Sequence, residues 1–243
     1  MRLIIFCFIF SLNAHAFINI ESLRQSNQIG HLGSFGMRAS GEIGNAEKFR
    51  GSINILNGHL SDTNEVLVIA NYYYGRSLGL RDTNNGQLHI RNTILRENSF
   101  DIEVFTQSQF NEFTSLKHRF LAGSNLRFKL IKTQKSFFYL GTGAFWEKLE
   151  RDNNPNKDGL RGNIYLSYLH KFNQRVEASV TGYYQPYIDK ISDNWINLAA
   201  ALSYSLTQRL SFVADIKMRH ESKQPGSIKT TDIYYLTGIN YRY

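Results

Sequence analysis

The 243-residue sequence has one cysteine and three prolines, and beyond its first twelve residues it has no long apolar run. Each shortage excludes something. The cysteine, Cys7, falls within an N-terminal export pattern, so the chain from Phe17 onward has no thiol for disulfides, thiolate catalysis or metal ligation. His31, His59, His89, His118 and His170 stand singly without ligand spacing, and no metal or cofactor site is expected. Gly33, Gly36, Gly41 and Gly44 precede no helical pattern and form no phosphate loop. The missing apolar runs exclude a helical membrane protein. Few prolines beside 14% aromatic residues exclude a disordered chain and favour strands. The formal charge is +8, or +7 without Arg2, yet no Lys/Arg cluster at helical spacing and no nucleic-acid motif accompanies it. Nucleic acid is therefore not an expected partner. An anionic lipid surface or an anionic solute suits such a field.

What is present begins with Met1-Arg2, a ten-residue apolar stretch from Leu3 to Leu12, and Ala14-His15-Ala16. A basic start, a short apolar core and a small-x-small site define a secretory signal peptide, too short to span a bilayer. Residues 1–16 are assigned to it, 17–30 to a periplasmic N-terminal segment, and 31–243 to the folded body.

That body alternates polar with apolar residues in segments of about ten, the pattern of a transmembrane β-barrel. Twelve segments are expected: 31–43, 47–57, 64–76, 87–97, 99–110, 114–131, 135–149, 159–172, 174–186, 193–206, 208–221 and 230–243. In the tenth, Ile196, Leu198, Ala200, Leu202 and Tyr204 share one face, and Trp195, Asn197, Ala199, Ala201 and Ser203 the other. In the sixth, Phe120, Ala122, Leu126, Phe128 and Leu130 oppose Lys117, Arg119, Asn125, Arg127 and Lys129. A strand half-buried in a soluble sandwich alternates in the same way, so a soluble exported β-protein stays open on this signal alone.

Loops and ends add to it. With both ends of the wall in the periplasm, inner turns such as 96–98, 133–134, Asn173 and Gln208 are short, while outer loops at 77–86, 150–158, 187–194 and 221–229 are longer and polar; the first two connections break the trend, since 44–46 is short and 58–63 is not. Pro155 and Pro225 fall in outer loops and Pro186 at a strand end, where no ladder donor is needed. Gly238-x-x-Tyr241-x-Tyr243 resembles the terminal signal read by bacterial barrel-assembly machinery. Tyr72-Tyr73-Tyr74 and Tyr183-Tyr184 suit an aromatic girdle.

Longer motifs carry a family resemblance. Phe17-Ile-Asn19-Ile-Glu21-Ser22-Leu23-Arg24, Phe105-Thr-Gln107-Ser-Gln109-Phe110-Asn111-Glu-Phe113, and Leu116-x-x-Arg119-x-Leu121-x-Gly123-x-x-x-Arg127 are similar to motifs of the salt-induced outer-membrane protein family. So are Leu140-Gly141-x-Gly143, Arg161-Gly-Asn163-x-Tyr165-Leu166-Ser167 and Tyr184-Gln185-Pro186. The resemblance implies an uncharacterised outer-membrane barrel, with lipid and lipopolysaccharide around it, and it implies no substrate.

The fold class expected is thus all-β, a transmembrane antiparallel up-and-down barrel of about twelve strands, in the bacterial outer membrane. The polar face becomes the lumen, because a charge on the lipid face costs about 2–4 kcal/mol at the midplane. Candidate lining residues are Glu103, Gln107, Gln109, Lys117, Arg119, Arg127, Lys129, Arg161, Gln185, Lys217 and Arg219, on the same face as Asp101, Glu147, Glu177 and Asp215. Twelve strands lie between barrels plugged by side chains and barrels holding an aqueous channel. The lumen is either filled, giving a structural barrel, or a narrow basic pore for small anionic solutes. No enzyme is expected. The alternative from another class is a lipid hydrolase resembling lipid A deacylases, with His220-x-Ser222 as base and nucleophile, but an orienting carboxylate is missing from that pair.

Overall fold

A computed structural model describes residues 29–241, apart from 45, 46, 97, 98 and 153. The signal peptide, the motif at Phe17–Arg24 and Tyr243 lie outside the described residues. The chain forms β1 (Gly30–Glu42), β2 (Lys48–Leu60), β3 (Asn64–Ser77), β4 (Leu80–Ile94), β5 (Phe100–Asn111), β6 (Leu116–Lys132), β7 (Ser136–Arg151), β8 (Lys157–Lys171), β9 (Val176–Pro186), β10 (Asn194–Ser205), β11 (Leu210–Glu221) and β12 (Thr231–Tyr241). One 3-10 turn, Glu112–Thr114, joins β5 to β6. The strands lie in one sheet in chain order, each antiparallel to the next, and β1 meets β12 at the seam. This is the expected up-and-down barrel. Strands of 11 to 17 residues are long enough to cross a bilayer at a tilt.

The distribution of side chains explains why the sheet curls rather than stacking as a sandwich. Val104, Ile164, Leu166, Leu198, Leu202 and Ile216 point outward and are exposed, while Glu103, Glu147 and Arg161 on alternating positions are fully buried inside. Polar groups inside and bare aliphatic groups outside invert the soluble pattern. Lipid is the solvent in which burying polar groups in the lumen is favourable. The soluble β-protein alternative is overturned by this inversion.

Aromatic pairs ring the outer surface at two levels. Phe100–Phe128 and Phe138–Tyr168, with centroids 6.1 Å apart in each pair, lie towards the end that carries the chain termini. Phe49–Tyr74, Tyr72–Phe110 and Phe120–Trp146 lie in the opposite half. Such bands mark the two interfaces of a bilayer. Tyr72 and Tyr74 join the girdle, but Tyr73 turns inward and its hydroxyl donates to Asn54 Oδ1 at 2.8 Å. Tyr183 likewise lines the interior.

One expected boundary is corrected. The loop expected at 77–86 is absent: β3 and β4 join through a two-residue turn, Leu78-Gly79, both with positive φ (50° and 75°). That geometry suits a tight hairpin, and Gly79 adopts it without steric cost. The stretch Asp82-Thr83-Asn84-Asn85-Gly86 has turn-forming composition, yet it continues the wall. Asp82 pairs with Arg50 at 2.6 Å, and Thr83 and Asn85 are buried inside. Thr83 and Asn85, which would mark a loop in a soluble protein, here face the lumen, while Asn84 on the other face bonds Tyr72 and Glu112. The far-end connections are consequently uneven. Those before β8 are short, and only 187–193 and 222–230 are long. Pro155 and Pro225 do fall in far-end loops, and Pro186 ends β9.

Candidate functional site: the lumen

Three carboxylates organise the interior. Glu147 of β7 sits between two arginines: Arg119 Nε donates to Oε1 at 2.5 Å and Arg161 Nε donates to Oε2 at 2.6 Å. Arg161 is held further by the carbonyls of Gln185 and Asp193 and by Asp193 Oδ1, each at 3.0 Å, with its guanidinium 3.7 Å from the Tyr187 ring centre. Lys157 also reaches Asp193, at 3.1 Å. In the loop beyond β9, burial and the Glu147 carboxylate raise the Tyr187 phenol above its ordinary pKa, so it stays neutral.

Glu103 of β5 is the second centre. The Tyr165 hydroxyl donates to it at 2.8 Å, and Asn125 and Arg91 donate at 3.3 Å. Tyr165 reaches it by crossing Gly141, where a Cβ would stand 1.9 Å from the ring. The glycine of the Leu140-Gly141 motif is therefore a packing requirement. Arg127 lies 3.6 Å over the Tyr139 ring.

Glu221, at the end of β11, is the third. It accepts from Arg151 of β7, from Arg219 Nη2 at 3.3 Å and from Gln224 at 2.8 Å. The Arg151 contact crosses the interior. So does the packing of Leu116 and Leu149 on Trp195 of β10. Both the Arg119 and Arg219 guanidiniums lie over Trp195, at 3.8 and 4.5 Å from its ring centre.

Beside these clusters is a cavity open to solvent. Its cationic lining is Arg91, Arg119, Lys217 and Arg219. Nine Asn and Gln side chains also line it, among them Gln107, Gln109 and Gln185, with Phe105 and Trp195 as apolar surfaces. Among the described residues no Asp or Glu lines it: the carboxylates sit behind the arginines they hold. At the terminus-bearing end, Arg96, Lys132, Lys135, Arg175 and Arg209 are exposed on or beside the turns, against Asp62 as the one exposed carboxylate among the described residues of those turns.

Of the expected lining residues, Gln107, Gln109, Arg119, Gln185, Lys217 and Arg219 meet at the cavity. Glu103, Arg127 and Arg161 are buried in the wall networks, and Lys129 pairs with Asp101 at 2.7 Å near the terminus-bearing end. Lys117 is a correction. β6 bulges between Leu116 and His118, so Lys117 leaves the alternation and is exposed, while Leu116 takes the buried position. Asn85 was missed because its stretch reads as a loop, while His89 and Arg91 lay inside the expected segment 87–97 but were not assigned to the lining. Gly238 lies in β12 opposite Val213, and Tyr241 opposite Leu210. His220 and Ser222 do not meet as a pair: His220 Nδ1 lies 2.8 Å from Thr231 Oγ1. The Ser222 hydroxyl donates to the Ser192 carbonyl and accepts from the Asn194 N–H, both at 2.8 Å, which makes it a loop clasp. Among the described residues no group of three or more His, Cys, Asp or Glu could hold a metal ion.

Comparison with known proteins adds family and fold. Residues 39–243 match the family model described as a protein of unknown function, DUF481. Among solved structures the chain is similar to a NanC porin, at 11% identity over 86% of this chain and 98% of that one, with a TM-score of 0.55. It is also similar to a KdgM porin solved in complex with disordered oligogalacturonate, at 11% identity over 88% and 99%, with a TM-score of 0.48. No curated protein sequence matches it.

Proposed function

From the premise that the chain belongs to the DUF481 family of unknown function, we propose that it is a bacterial outer-membrane barrel whose lumen admits small anionic solutes. The observation that carries this is the cavity lining, cationic and amide-rich with no carboxylate among its described residues. The basic turns at the terminus-bearing mouth support it, because a ring of one sign draws counter-charged solutes toward an opening. In this placement the terminus-bearing end faces the periplasm, the girdles sit at the interfaces, lipopolysaccharide surrounds the far half, and barrel-assembly machinery inserts the chain.

A second reading is a filled, non-conducting barrel. The contacts of β7 with β10 and β11 across the interior favour it. Reversal potentials of the refolded chain in planar bilayers under a KCl gradient decide between them. Anion preference is expected, reduced in Lys217→Gln and Arg219→Gln. A silent bilayer establishes the filled barrel, and cation preference overturns the anionic reading. The lipid-hydrolase alternative has no support in the geometry of His220 and Ser222.

A further inference from the structure

We propose that the cavity contains a built binding site for a small hydroxylated carboxylate, of the sugar-acid class; this rests on the lumen being open to anions. Three side chains that line the cavity each carry a buried N–H donor without a hydrogen-bond partner: Arg119 Nη2, Arg219 Nε and Trp195 Nε1. Arg119 and Trp195 are only 2% and 1% exposed. Buried donors are ordinarily satisfied, so three orphans on neighbouring side chains point to a missing acceptor. Both guanidiniums lie over the same indole ring. Each is also held by a carboxylate: Arg119 by Glu147, Arg219 by Glu221. The donors are therefore fixed before a ligand arrives, which lowers the ordering cost of binding. Among the described residues, the network linked by these ion pairs holds five cations, Arg119, Arg151, Arg161, Arg219 and Lys157, around three carboxylates, Glu147, Asp193 and Glu221. A carboxylate brings one charge and two acceptor oxygens to that deficit.

The hydroxyl requirement comes from β4 and β5. Gln87 Nε2 donates to Gln107 Oε1 at 3.1 Å, and Gln107 Nε2 donates to Gln109 Oε1 at 2.8 Å. His89 Nδ1 lies 3.0 Å from the same Gln107 oxygen. The relay fixes each amide's orientation and ends with an acceptor, Gln87 Oε1, and a donor, Gln109 Nε2. A hydroxyl can serve either, because it both donates and accepts. Phe105 and Trp195 supply apolar surface for the carbon skeleton.

The test is calorimetric titration of the refolded full chain in detergent with D-glucuronate, acetate, glucose and phosphate. Glucuronate is expected to bind at least about tenfold tighter than acetate or glucose, the effect of one to two additional hydrogen bonds on either side. Gln109→Leu should cut the glucuronate-to-acetate ratio about three- to tenfold and leave acetate binding unchanged. Arg219→Gln should weaken both carboxylates. Folding of each variant is checked by heat-modifiable gel mobility. Equal binding of glucuronate, acetate and glucose, tighter binding of phosphate, or no binding overturns the site. Anion-selective current without glucuronate preference overturns this site and spares the pore. Glucuronate binding by a barrel that carries no current does the reverse.

Discussion

Glu147→Gln tests whether the lumen arginines are truly desolvated. The carboxylate is fully buried, and its partners Arg119 and Arg161 have side-chain exposures of 3% and 1%. Removing one member of such a cluster leaves uncompensated buried charge, at a cost of 3–5 kcal/mol in comparable cases. Arg161 keeps Asp193 and two carbonyls, so most of the loss falls on Arg119, which keeps the Trp195 ring. Glutamine can accept from one arginine but turns its NH₂ toward the other. The expected destabilisation is therefore at the lower limit, about 3 kcal/mol. Denaturant unfolding of the refolded barrel, followed by tryptophan fluorescence, measures it. Glu150→Gln is the control: its partner Lys148 is half exposed, and the midpoint should not move. Adding Arg119→Gln to Glu147→Gln should recover part of the loss, since the stranded charge leaves with it. A Glu147→Gln shift no larger than that of Glu150→Gln would refute the reasoning, because it would mean that water in the lumen screens the cluster.

Three further outcomes are expected. Gly141→Ala should abolish the heat-modifiable form or sharply lower its melting temperature, since a Cβ there displaces Tyr165 from Glu103. In single-tryptophan variants, brominated lipid should quench Trp146, which faces outward, and spare Trp195, which is 1% exposed inside; equal quenching would contradict the assigned faces. Ser222→Ala should cost about 1 kcal/mol through its two lost loop bonds; unchanged stability with loss of fatty-acid release would instead support the lipid hydrolase.

Period-two alternation carried most of the architecture, because inside and outside impose opposite polarity on every second residue of a barrel. It placed the inward faces of β5, β8 and β10 correctly, Trp195 included. It failed at two kinds of place. At the start of β4, polar residues imitate a loop, and Asn85 went unrecognised with it; His89 and Arg91 lay in the expected strand, but their place on the lumen face was not drawn. At Lys117, a bulge shifts the phase, and no residue type announces a bulge. The family resemblance drawn from Phe105–Arg127 and Arg161–Ser167 agrees with the match over residues 39–243. The charge of the lumen was the least legible property. Sequence shows which faces the arginines occupy. Only the fold shows that Glu147, Glu103 and Glu221 stand beside them, and that the cavity wall itself is left without carboxylates.

At the terminus-bearing mouth the exposed cations outnumber the one exposed carboxylate among the described residues of its turns, whereas at the other end exposed Lys117, Lys157, Lys190 and Lys223 are interspersed with Glu112, Asp152, Asp158 and Asp189, and Lys148 pairs with Glu150 and Arg81 with Glu112. Were the lumen to conduct as proposed, fixed charge at one entrance would make it an ionic diode: anions would gather at the charged mouth, and the current carrying them inward from that side would exceed the current at the same voltage reversed. The direction of rectification then reports which way each molecule was inserted, and 1 M salt, with a screening length of about 3 Å, should straighten the current–voltage curve.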